Sequence, residues 1–149
     1  MSGIKARLMK KTGLEFYDTA YEIDKEIWKF IKGNFKGKTE GIPVRYWQTH
    51  AVPLHEECWH IIAAIKKANS IYPPYTEETC KMRKRLQQEA IGHVETLYEM
   101  LRLTLIEIEG IDANKLNTVL ELMSSEVELL RKWKSSTRIN KKDQPPGKA

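Results

Sequence analysis

Apolar residues recur along this chain in steps of three and four, and the longest such run lies between Thr76 and Ile108. Leu86, Ala90, Val94, Leu97, Leu101, Leu105 and Ile108 keep one face of a 3.6-residue helix apolar from end to end. Thr76 is placed to cap this helix, and Glu77 and Glu78 suit the positive end of its dipole. About 32 residues at 1.5 Å each give a rod of roughly 48 Å. A rod of that length needs long partners.

Three other stretches supply them. Phe16, Ala20, Ile23, Ile27 and Phe30 predict a first helix from about Leu14 to Lys32, ended by Gly33 and a solvated loop containing Gly37 and Gly41. Trp47, Ala51, Leu54, Cys58, Ile61, Ile65 and Ala68 predict a second, with Pro53 inside it. Proline removes a backbone donor and kinks or breaks a helix, yet the apolar phase passes through Pro53 unshifted. The pattern therefore favours one kinked helix, Val44 to Asn69, over a break near Ala51. Pro73-Pro74 forms a stiff turn into the long helix, and Glu109-Gly110-Ile111 a short connection out of it. Asp112 then caps a fourth helix, about Ala113 to Lys134, with Leu116, Val119, Met123, Val127, Leu130 and Trp133 inward.

Four amphipathic helices joined in this way predict an all-α protein, an antiparallel up-down-up-down four-helix bundle. Its expected limits are a flexible basic arm over residues 1–13, the bundle over 14–134, and a disordered basic tail over 135–149. At 149 residues one domain suffices. The basic N-terminus is followed by no apolar run, and no window has the length of a membrane span, so a cytoplasmic protein is expected. Cys58 and Cys80 have neither metal nor disulfide spacing and read as partly buried free thiols.

The net charge of +5 is unevenly spread. Residues 1–11 and 131–149 are strongly basic, whereas 12–130 hold more acidic than basic side chains. Topology sharpens this pattern. In an up-down-up-down bundle the start of helix 1, end of helix 2, start of helix 3 and end of helix 4 share one pole. Lys66 and Lys67, the cluster Lys81, Arg83, Lys84 and Arg85, and then Arg131, Lys132, Lys134 and Arg138 would converge there, with Lys141 and Lys142 close behind in sequence. Helix dipoles account for cations at the ends of helices 2 and 4, but not for four near the start of helix 3. The pole is therefore expected to bind a polyanion. Tyr72 and Tyr75 are its exposed aromatics; Trp133 continues the Leu130 stripe and is expected to close the core rather than stack on a base.

Catalytic chemistry finds less support. A di-iron bundle needs two Glu-x-x-His pairs, and only Glu57 to His60 has that spacing. His50, His55 and His60 are five apart, a rotation of about 140° per step on a helix, so they diverge around the axis. His55-Glu56 lacks the second histidine of a zinc-protease helix. His93, beside Gly92, reads as a tight helix contact, and Arg85 and His93 are poorly phased for a helical RNase. No catalytic residue, metal or cofactor is expected.

Several short stretches resemble a known family. Ala68-Asn69-Ser70 closing helix 2, Arg83-Lys84-Arg85-Leu86-Gln87-Gln88-Glu89-Ala90-Ile91 opening helix 3, and Trp133-Lys134-Ser135-Ser136-Thr137-Arg138 ending helix 4 are similar to the accessory variability determinant (Avd) proteins of diversity-generating retroelements. The layout also resembles the four-helix-bundle proteins encoded in ribosomal-RNA intervening sequences. The resemblance spans about residues 14–138. It implies a basic homopentamer that binds the element's reverse transcriptase and nucleic acid during mutagenic copying of a template RNA. By position it implies that Arg83, Arg85 and the stretch from Trp133 to Arg138 belong to the nucleic-acid-facing region. The long glycine-containing loop and Pro53 depart from the family pattern.

Residues and resemblance together predict a non-enzymatic accessory subunit of a reverse transcriptase, contacting RNA or an RNA–cDNA hybrid through phosphates with little base specificity. The alternatives are an interaction module whose basic pole docks an acidic protein, and a small helical RNase.

Overall fold

The computed structural model describes residues 14–35 and 45–140. The expected basic arm, most of the glycine-containing loop, and Lys141, Lys142 and the rest of the tail lie outside the described residues. Four long helices make up the described chain: α1 (Glu15–Asn34), α2 (Val52–Ser70), α3 (Glu77–Glu107) and α4 (Asn117–Ser136). A π-helical turn, Trp47–Ala51, leads into α2, and a 3-10 turn, Ala113–Leu116, leads into α4. Each helix packs on its neighbours in sequence, α2 most extensively on α3, and α1 closes the ring against α4. The directions alternate: Trp28 late in α1 meets Trp47 and His55, Gln88 early in α3 meets Lys134 late in α4, and Phe16 at the start of α1 stacks on Trp133. The expected antiparallel four-helix bundle is present. Among the described residues no helix is long and apolar enough to cross a membrane.

Local chemistry sets the helix ends. Thr76 and Thr79 form a reciprocal capping box, each hydroxyl accepting the other's backbone N–H at 3.1 Å. Asp112 caps the 3-10 turn by accepting the Asn114 N–H at 3.1 Å, so α4 proper begins four residues later than expected. Gly110 takes the left-handed φ of 86° that the connection requires. Asn34, at the end of α1, accepts the Asp112 N–H at 3.0 Å and pins the distal pole together.

Pro53 neither breaks nor interrupts the second helix. The chain is helical from Arg45 to Ser70, and the π turn just before the proline lets the Trp47 carbonyl accept from Val52, five residues on. Pro53 then occupies the first turn of α2, where its missing N–H costs least.

The core follows the predicted stripes except where polar residues hold inward positions. Leu105 is exposed, and Thr104 takes its inward place, satisfied by the Met100 carbonyl at 2.8 Å. Val127 is only partly buried because Glu126 lies in the phase set by Leu116, Val119, Met123 and Leu130. At the start of α3 the inward line continues as Gln87 and Arg83. The packed chain extends past Ser135: Thr137 is buried with its hydroxyl on Gln87 at 3.0 Å, and the Asn140 N–H reaches the Pro74 carbonyl at 2.8 Å.

Candidate nucleic-acid interface

The start of α3 and the end of α4 lie side by side, as antiparallel neighbours must. Lys81, Lys84, Arg85 and Lys134 line one shallow groove of about 530 Å³ between them, with Gln88, Glu89 and Gly92 completing it. Lys134 is steadied by donating to Gln88 Oε1 at 2.8 Å, and Lys81 pairs with Glu77 at 3.3 Å across one turn. Both contacts are at the surface, and the Lys81–Glu77 ion pair is of a kind worth little there. Lys84 and Arg85 are exposed and, among the described residues, pair with no carboxylate. Arg131, Lys132 and Arg138 are exposed on α4 and just beyond it, and Lys66 and Lys67 are exposed near the end of α2.

Arg83 departs from this pattern. It is 5% exposed, with Nη1 donating to the Ile71 carbonyl at 2.8 Å. Its guanidinium lies 5.0 Å from the Tyr72 ring and 5.2 Å from the Trp133 ring, and Trp133 in turn stacks on Phe16 at 4.0 Å. The order Phe16, Trp133, Arg83, Tyr72 ties α1, α4, α3 and the α2–α3 turn into one stack. Burial lowers the Arg83 pKa, but an arginine keeps its proton at any ordinary pH. Arg83 is a buried clamp, and the phosphate-facing role given it by position and resemblance does not match its placement. Its helical phase is the signal: it lies four residues before Gln87 and seven before Ala90, on the core face. Trp133 closes the core as expected, and Tyr72 is 68% exposed over the clamp.

A second cluster lies outside the predicted pole. The Glu57 carboxylate, buried on α2, has Oε1 2.6 Å from His93 Nδ1 on α3 and Oε2 3.2 Å from His60 Nδ1 one turn along α2. The two imidazole centroids are 5.3 Å apart. Spacing within one helix gave the Glu57–His60 half of this group; His93 comes from the neighbouring helix, which no one-helix motif reveals. His93 makes the expected close contact with the neighbouring helix, through Glu57, whereas a Cβ added at Gly92 would meet nothing within 4 Å. The other two histidines diverge as their spacing requires, His50 toward Glu107 at 3.4 Å and His55 toward Asp24 at 3.1 Å. Burial raises the Asp24 pKa against the opposing pull of His55. The nearby Cys58 thiol is fully buried, and burial together with the Asp24 and Glu57 charges holds it far above its usual range, hence unreactive.

An apolar groove of about 490 Å³ opens between α3 and α4 beside Tyr98 and Leu120. Its lining includes Glu95 and Glu99 and no cation, so it does not extend the basic surface.

No protein-family model, curated protein or solved structure matches this chain.

Proposed function

We propose that this chain is a non-enzymatic nucleic-acid-binding bundle, acting as an accessory subunit of a diversity-generating retroelement reverse transcriptase. The observation that carries the binding half of this reading is the groove shared by Lys81, Lys84, Arg85 and Lys134. Cations from two antiparallel helices on one surface suit the spaced phosphates of a nucleic-acid backbone. The reverse-transcriptase and homo-oligomer half rests on the resemblance of the α3 and α4 segments to Avd proteins. On this reading the protein holds template RNA or an RNA–cDNA hybrid for the polymerase and performs no chemistry itself.

The test is binding of RNA and hybrid duplex, at low and moderate salt, by the wild type and by Lys84→Glu/Arg85→Glu. The expected result is binding that weakens steeply with salt, and a variant whose log–log salt slope is smaller by roughly 0.7–0.9 for each phosphate it no longer neutralises. Binding indifferent to both residues would remove the groove from the reading. Co-purification with a reverse transcriptase encoded beside the gene tests the partner separately.

A further inference from the structure

Glu57, His60 and His93 bring a carboxylate and two imidazoles from two rigid helices to one point, with their ligating atoms all within 4.8 Å of one another. We propose that these three side chains are the protein ligands of a divalent transition-metal site, with zinc the fitting ion. It is independent of the basic groove and of any nucleic-acid role.

The donor set selects the ion. Two nitrogens and one oxygen suit zinc and its first-row neighbours, whereas magnesium and calcium require oxygen-rich cages. Ligand bonds of 2.0–2.2 Å in a tetrahedral site place donor atoms about 3.4 Å apart. The Glu57 oxygens lie 2.6 and 3.2 Å from the two Nδ1 atoms, so to admit an ion the short Glu57–His93 hydrogen bond must open by a few tenths of an ångström or more while the widest spacing, within 4.8 Å, closes. His60 has a side-chain exposure of 56%, which leaves its ring room to turn. Glu57 and His60 are fixed relative to each other by one helical turn, and His93 is fixed by the most extensive helix contact of the bundle. Glu57 at the base is buried while the histidines reach the surface, which gives the ion an entry path. Three protein ligands leave the fourth position to water, the arrangement of an open zinc site rather than a closed structural one.

The test uses untagged, metal-stripped full-length protein titrated with Zn²⁺ against a chromophoric chelator, and with Co²⁺ for its visible ligand-field bands. Expected are saturation at one ion per chain, Co²⁺ bands of four-coordinate intensity, and a loss of about 100-fold or more in affinity in His60→Ala and in His93→Ala. His55→Ala, which removes an imidazole outside the cluster, is expected to bind as the wild type does. A wild-type measurement covers the case of misfolding variants: Zn²⁺ is expected to protect His60 and His93, but not His50 or His55, from diethyl pyrocarbonate, read by peptide mass spectrometry. No saturable binding, binding that survives both substitutions, or protection at His50 or His55 instead would overturn the assignment.

Discussion

Arg83 and Glu126 are both buried in this bundle, and their charges are treated in opposite ways. Arg83 has a carbonyl at 2.8 Å and two aromatic rings centred 5.0 and 5.2 Å from its guanidinium. Glu126, fully buried on α4, has no hydrogen-bond partner for either oxygen among the described residues. The first is a cation whose removal from water is offset by specific contacts; the second is a carboxylate that burial, with a contribution from Glu15, pushes up to about 9, so that it is neutral when folded at pH 7. The contrast teaches that burial alone does not say what a charge does. Arg83 holds four segments together, whereas Glu126 occupies a position that an apolar residue would fill better.

Substitution can break this contrast. Arg83→Ala removes a charged hydrogen bond and two cation–π contacts and should cost about 3 kcal/mol or more, read as a lower urea midpoint. A cost under about 1 kcal/mol would mean that the stack is incidental. Glu126→Leu should instead stabilise by about 1–3 kcal/mol in the same assay. The Glu126 carboxyl also sets a pH dependence. Its folded pKa lies above the ordinary 4.5, so between about 4.5 and 9 the folded state holds a proton that the unfolded state has released. Stability should therefore fall as pH rises through that window, by up to about 1.4 kcal/mol per unit, and Glu126→Gln should flatten that slope. Thr76→Ala, which opens the capping box of α3, is expected to cost about 1 kcal/mol. Smallest of all, Lys84→Glu/Arg85→Glu should leave stability within about 0.5 kcal/mol while altering RNA binding, which separates surface cations from the clamp. A double variant that unfolded would place those two residues with Arg83.

These contrasts also mark how far the fold is legible in the sequence. Helical periodicity is enough to define four helices, their order and the Thr76 cap, because burying an apolar face is what makes the helices form. It fails where polar residues hold core positions. Thr104, Glu126, Gln87 and Arg83 all lie in phase with the stripes, but residue type argues against reading them as inward. For Arg83 this matters most: composition places it with Lys81, Lys84 and Arg85, while its phase places it with Gln87. The groove between α3 and α4 follows from topology and is foreseeable as a shared pole. The Glu57–His60–His93 cluster is only half visible, since its third member depends on the register between α2 and α3, which no local spacing encodes.

The Phe16–Trp133 stack, at 4.0 Å, carries one more consequence. It sets the start of α1 beside the end of α4, so the four helices form a closed ring. The bundle is thus suited to circular permutation: a short linker from the end of α4 back to α1, with new ends opened at Gly110, would leave every helix its present neighbours and only change which one is made first.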